Sequence, residues 1–307
     1  MPVSGDIPGS SAMKPAMSDY IVAYCDVLGQ REKLDLLKKS DGNQDASESQ
    51  RLYEETYCAV LDLRTRVRAA LQSSLHDAAQ NTPNFRDHQT TRTPCHISFF
   101  SDCVAIALRY SDNNGRAPIL DVWHLLTSLS IAMIRCIRRH TPLRGAIEVG
   151  RAFEWPDGGV YGPIMGDVYE LESQVARYPR MIVGPELSLR IRDWAERVRQ
   201  KDGYYLANKN WVKNCNEMVC GDRDGMSILD YLGSNSRYRC GSLPGIEDAV
   251  RIGLEFVNGE CERLRDKRDS KKMSMYFLLR DYYSGRWAQF WNSSSETSGN
   301  VKSGASP

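Results

Sequence analysis

Two apolar segments of strand character, each interrupted by one aspartate, limit most strongly how this chain can fold. The first runs Tyr20-Ile21-Val22-Ala23-Tyr24-Cys25-Asp26-Val27-Leu28-Gly29. The second runs His96-Ile97-Ser98-Phe99-Phe100-Ser101-Asp102-Cys103-Val104-Ala105-Ile106-Ala107-Leu108. A carboxylate set in apolar surroundings is expensive unless something pairs with it. Taken singly, Asp26 can open a turn and Asp102 can close a hairpin, because aspartate suits both places. If the two strands lie side by side, both carboxylates meet at one sheet edge. Paired oxygen ligands of that kind suit hard divalent cations, which in turn bind triphosphates. The coincidence of the two favours a metal site.

The rest of the chain reads in order from that start. The pattern predicts a strand over Tyr20–Val27, a charged helix over Arg31–Lys39 and a polar break over Asp41–Ser47. Ser49–Leu75 carries Leu52, Val60, Leu63, Val67 and Leu71 near helical spacing and reads as a long amphipathic helix. Asn81–Thr93 is a loop, and Ile97–Tyr110 forms two strands joined at Ser101-Asp102. Ile119–Arg139 is a helix with one strongly apolar face and a basic end, as a helix C-terminus prefers. Leu143–Gly150 is a strand whose glycines admit close approach of backbone or ligand. Gly158–Pro163 turns into a helix over Gly166–Arg177; Met181–Val183 is a strand and Glu186–Arg199 a helix. This order predicts an α+β domain with a ferredoxin-like mixed, mainly antiparallel sheet and helices on one face. Asp222–Gly225 reads as a turn before a strand over Met226–Leu232, then helices over Ile246–Leu264 and Lys271–Trp287. The expected organisation is a disordered start (1–18), a main domain (19–232), a C-terminal helical extension (233–292) and a disordered tail (293–307).

Composition narrows the class. Lys and Arg number 40 against 39 Asp and Glu, for a net charge of +1. No global field steers the chain to nucleic acid or an anionic membrane. The basic clusters at Arg135, Arg138 and Arg139 and at Arg263, Arg265, Lys267 and Arg268 read as solvated helix faces. No segment reads as a bilayer span, and Met1–Ser18 lacks the order of a signal peptide. The nine cysteines are an odd, scattered set without a Cys-x-x-Cys pair, which points to a reduced, cytoplasmic protein without disulfides. Cys25 and Cys103 lie in strands, where a thiol is a small hydrophobe. Cys215 and Cys220 have no second pair to complete a zinc site. Asp222 and Asp224 match half a calcium loop that lacks its glutamate, so a plain turn is the better reading. The five histidines form no triad spacing, and no Gly-Lys-Ser/Thr follows the glycines near Gly158 and Gly162.

Strand-Asp26-x-x-Gly29, a hairpin carrying Ser101-Asp102, and Leu143-Arg144-Gly145-Ala146-Ile147-x-x-Gly150 together resemble the class III nucleotidyl cyclases. The resemblance covers about Tyr20 to Val183. Tyr161-Gly162-Pro163, Tyr169-Glu170-Leu171-Glu172-Ser173, Ala176-Arg177-Tyr178-Pro179-Arg180 and Asp224-Gly225 make it similar to the bacterial pyrimidine cyclases of the Pycsar antiphage system. The resemblance implies a homodimer with active sites between subunits and two metal ions, Mn2+ or Mg2+. Asp26, Asp102 and the carbonyl of Val27 match the ligand positions. It further implies UTP or CTP as substrate, and a separate effector protein reached only through the cyclic nucleotide.

The departures from the family sharpen the substrate. Aligned on Tyr161-Gly162 and Glu172-Ser173, the ribose-orienting asparagine of purine cyclases falls on Gly166 and the transition-state arginine on Glu170. The purine-selecting lysine falls on Ser98 and its aspartate partner on Gly159. These losses argue against ATP or GTP and leave cyclic UMP as the first expectation and cyclic CMP as the second. Positive charge is still needed beside the phosphates, and Arg177, Arg180 and Arg144 are the candidates. Tyr24 shares a strand face with Asp26 by alternation; it and Tyr161, among glycines, are candidates to line the base pocket. A catalytically silent nucleotide-binding module of the same fold is the rival from another class.

Overall fold

Alternation along β1 (Ser18–Val27) sends Ile21, Ala23, Cys25 and Val27 to one sheet face and Tyr20, Val22, Tyr24 and Asp26 to the other. The computed structural model describes residues 16–40, 46–81, 95–111, 115–155, 159–234, 236 and 245–297. The expected loop before the hairpin beyond Asn81, most of the polar break, residues 1–15 of the expected start and residues 298–307 of the expected tail lie outside those residues.

β1 is central. It pairs antiparallel with β3 (Cys103–Arg109) on one side and with β4 (Leu143–Glu154) on the other. β2 (Cys95–Phe100) pairs with β3, and β5 (Val160–Tyr161) with the end of β4. β6 (Met181–Val183) runs parallel to β4; β7 (Val219–Gly221) and β8 (Ser227–Leu229) continue the sheet antiparallel. The order is β2-β3-β1-β4-β6-β8-β7, an open, mixed and mostly antiparallel sheet. With its helices this makes an α+β fold.

The helices are α1 (Gln30–Ser40), α2 (Ala46–Asn81), α3 (Ile119–Arg138), α4 (Pro163–Glu170), α5 (Pro185–Arg199), α6 (Gly203–Ala207), α7 (Lys209–Glu217), α8 (Ile246–Asp266) and α9 (Ser270–Thr297). α3 is the centre of the main core. Its Val122, Leu126, Leu129 and Ile134 are buried with Leu63 and Val67 of α2, Val250 and Val257 of α8, and Leu279 and Tyr283 of α9. The two C-terminal helices therefore share the main core. Contrary to the sequence expectation, α3 is by length and composition apolar enough to cross a membrane; 83% of that stretch is buried inside the protein, as a core helix requires.

Helices do not cover one face only. Ile164 and Val168 of α4 pack on Tyr20, Val22, Ala107 and Ala152, opposite the main core. Those strand residues are apolar and need cover, and Gly150 leaves the room that Ile164 occupies. α4 also begins earlier than its pattern suggests and passes into a π-helical turn at Leu171–Val175, so Arg177 lies beyond the helix. β4 continues four residues past Gly150, the strand expected at Met226–Leu232 shortens to β8, and α6, α7 and β7 fill a stretch with no sequence expectation. The last helix runs through Thr297, beyond the expected end at Trp287 and into the expected tail.

Two glycines have evident reasons. Gly29 turns the chain out of β1 with φ +87°. At Gly145 a β-carbon would collide with the Tyr24 carbonyl and lie 2.9 Å from the Met181 sulfur. Gly145→Ala is therefore expected to lower stability by about 1–3 kcal/mol, the usual cost of overpacking. Urea unfolding should show an earlier midpoint with an unchanged slope.

Candidate metal centre

β1 ends on Asp26, and β2 returns into β3 through the two-residue turn Ser101-Asp102. Ser101 takes the left-handed region at φ +49°, an uncommon conformation for a residue with a β-carbon. The Val27 amide donates to the Asp102 carbonyl at 3.3 Å, which ties the hairpin tip to the end of β1. Asp26 lies directly opposite Cys103 in the β1–β3 register. Side-chain ligand atoms of Asp26, Asp102 and Cys103 consequently all lie within 4.8 Å of one another, and all three residues are half-buried.

The other side of Asp26 is built by β4 and the π-turn. Arg144 is the β4 partner of Asp26. Its Nε donates to Glu172 Oε1 at 2.5 Å, and Glu172 is 2% exposed. Tyr24 meets Tyr169 of α4 edge to face, with ring centroids 5.9 Å apart. The Asp26 carboxyl thus feels two further carboxylates, Asp102 and Glu172, and the Arg144 guanidinium. Burial, with Asp102 and Glu172 adding to it, pushes Asp26 up to about 6 against the pull of the Cys103 hydrogen bond and Arg144. Burial also raises Glu172, opposed by Arg144. The Cys103 thiol rises to about 12, chiefly through burial, and its Sγ donates to Asp26 Oδ1 at 3.4 Å.

This donor set fits a divalent cation. Two carboxylates converge in a half-buried place, where Asp102 raises the cost of ionising Asp26, and a bound ion would relieve that cost. Because the ion needs ionised Asp26, affinity should fall as pH drops through about 6. Mn2+ titrations at pH 7.5 and 5 are expected to differ by roughly tenfold, with tighter binding at the higher pH.

The other predicted residues scatter more widely. Ser98 shares a cross-strand row with Ala105 and Tyr24, so it lies on the same sheet face as Asp26. Tyr161 is exposed and packs on Phe153, nine residues along β4 from Arg144, roughly 30 Å at strand rise. Within one chain it does not join the carboxylates. Arg177 is exposed just past the π-turn. Arg180 is 2% exposed and held by Asp222, by Asp224 at 2.6 Å and by the Val175 carbonyl at 2.8 Å. Its terminal nitrogens bond inside the protein, to Asp222, Asp224 and the Val175 carbonyl, which suits a structural arginine.

Sequence reasoning missed Cys103, Glu172 and Tyr169. Cys25 is indeed a core thiol, but Cys103 falls on the opposite face, beside Asp26. Strand pairing alone would have found it, because a turn at Ser101-Asp102 makes Cys103 the first residue of the returning strand. No family model and no curated protein sequence matches the chain.

Proposed function

We propose that this chain is a class III-type pyrimidine nucleotide cyclase that converts UTP to 3′,5′-cyclic UMP and pyrophosphate, with CTP as the alternative substrate. The observation that carries the reading is the convergence of Asp26 and Asp102 from the ends of paired strands. The motif resemblance adds the reaction class, and the mixed sheet is compatible with a class III core. In this reading Asp26 and Asp102, with the Val27 carbonyl, hold two Mn2+ or Mg2+ ions. When bound, such ions supply positive charge to the triphosphate and acidity to the ribose 3′-hydroxyl.

The chain's own groups do the positioning. Arg144, oriented by Glu172, offers N–H donors toward the phosphates from the strand beside Asp26. Arg177 offers a second, solvent-facing guanidinium. The 3′-oxygen attacks the α-phosphorus in line, the bond to pyrophosphate breaks, and the hydroxyl proton passes to water. Gly166 and Glu170 lie on the exposed side of α4, and Tyr161 is remote from Asp26. In this reading Tyr161 would reach the site only from a second copy, in keeping with the homodimer that the resemblance implies. The cyclic product would act on a separate effector in cytoplasmic antiphage defence.

A silent nucleotide-binding module is the second reading, favoured by Glu170 where the resemblance calls for arginine. Pyrophosphate release distinguishes them. The cyclase reading predicts release from UTP or CTP with Mn2+ and none with a chelator; binding without release supports the silent module.

A further inference from the structure

We propose that the cleft between the turn before β8 and helix α9 binds a neutral, planar, single-ring ligand with an amide edge, such as a free nucleobase, and that its occupancy is felt at Glu172. The cleft shares no residue with the candidate metal centre, and the inference does not depend on that centre holding an ion.

The cleft has a volume of about 180 Å³, somewhat more than the roughly 150 Å³ that accepts one benzene ring. Tyr178, Ile228, Leu278 and Tyr282 give it aromatic and apolar walls. Gly285, in the middle of α9, opens it further, because a β-carbon there would meet nothing within 4 Å. Packing therefore does not require this glycine, which weakens a helix; a ring lying against the helix backbone does. Arg223, Arg286, Asp222 and Asp281 also line the cleft, so its charges balance. Each is already paired: Arg223 with Asp281 at 2.7 Å, Arg286 with Asp230 at 2.8 Å, and Asp222 with Arg180. A charged ligand must break one of these pairs, whereas a neutral ligand uses the capacity they leave over. A guanidinium has more donors, and a carboxylate more acceptor sites, than one such pair consumes. The Arg223–Asp281 pair thus sets a donor beside an acceptor, the match for the C=O and N–H of a cyclic amide. The same turn reaches the interior. Asp222 and Asp224 hold Arg180, whose Nη2 donates to the Val175 carbonyl at 2.8 Å, and the π-turn ending there carries Glu172. A ligand bridging Arg223 and α9 therefore favours the clamped π-turn, to the extent that it binds that form better.

The test titrates the full chain, without metal or nucleotide, with uracil, nicotinamide, benzoate and benzamidine, followed by saturation-transfer NMR. Uracil, nicotinamide or both should bind with a Kd of about 1 mM or tighter, the range open to so few atoms, and the two charged rings about tenfold more weakly or not at all. Gly285→Leu fills the cleft and suits a helix better than glycine, so it should cut that affinity by roughly tenfold or more while the chain still folds. Asp26→Asn should leave the affinity unchanged. Exchange of the Ala176 amide, which closes the π-turn on the Leu171 carbonyl at 3.0 Å, should slow on saturation, by about twofold or more if opening there is local. No binding of uracil or nicotinamide up to about 10 mM, equal affinity for benzoate or benzamidine, or affinity untouched by Gly285→Leu overturns the site. Binding that is lost in Asp26→Asn and kept in Gly285→Leu moves the base to the metal centre and overturns the cleft, with the proposed cyclase left standing. Binding in the cleft with unchanged exchange at Ala176 overturns the link to Glu172.

Discussion

Replacing Asp26 by asparagine is expected to abolish turnover and at the same time to make the protein harder to unfold. The first effect follows from the loss of a cation ligand at the reacting phosphates. Such an ion is worth several kcal/mol of transition-state stabilisation, and at roughly 1.4 kcal/mol per factor of ten the loss should be about 1,000-fold or more. The second follows from burial. The Asp26 carboxyl is pushed up to about 6 from 3.8, so the folded state binds its proton more tightly than the unfolded chain. Its contribution to stability is fully present below the unfolded value and is lost as pH rises through about 6. At pH 7.5 an ionised Asp26 therefore weakens the metal-free fold. Removing the charge should raise stability by about 1–2 kcal/mol, discounted from the full shift because solvent reaches a half-buried carboxyl. Urea unfolding in chelator at pH 7.5 checks the gain, and at pH 4 the gain should have nearly disappeared. A merely structural turn aspartate predicts the reverse, a destabilised variant, and that result would falsify the account of Asp26. Asp102→Asn should share the loss of turnover.

Arg180→Ala is expected to cost about 3–5 kcal/mol of stability, the range for breaking a buried ion pair by removing one partner. The guanidinium is 2% exposed, lies 4.8 Å from the Tyr178 ring centroid and bonds Asp222 and Asp224 across the turn before β8. Tyr178 also donates to Asp222, at 2.8 Å. Removing the arginine leaves Asp222 half-buried without its cation. Arg180 further holds the Val175 carbonyl at the end of the π-turn that carries Glu172, so its loss should loosen the Arg144 support as well. Arg180→Lys keeps the charge but not the fork and should recover only part of the stability. Arg180 holds the Asp224 carboxyl below its usual range. That stabilisation is present above the ordinary carboxylate value and lost as pH falls through the lowered one, so the gap between wild type and Arg180→Ala should narrow in acid. Unchanged unfolding with selective loss of turnover would instead return Arg180 to the phosphates.

Those two residues show what was legible in the sequence. Asp26 could be found because an apolar, β-branched strand around it left its carboxylate as the anomaly. The same alternation placed Tyr24 on its face, and the apolar runs of β3, α3 and β4 located the core. The buried partners of Arg180 were not legible, because Asp222 and Asp224 lie more than forty positions away across three helices and two strands. Lys209–Glu217 carries only Trp211, Val212 and Cys215 as apolar anchors, too few to announce α7. The π-turn has no composition of its own, yet it buries Glu172 against Arg144. Cys103 was read as a small hydrophobe, whereas its register opposite Asp26 sets its sulfur beside that carboxylate.

The most direct test is to incubate wild type and Asp102→Asn with each of the four ribonucleoside triphosphates and Mn2+, and to identify the products by mass. The account predicts cyclic UMP, or cyclic CMP if cytosine is the base selected, from wild type alone. A cyclic purine, or no product from any nucleotide while nucleotide remains bound, would contradict it.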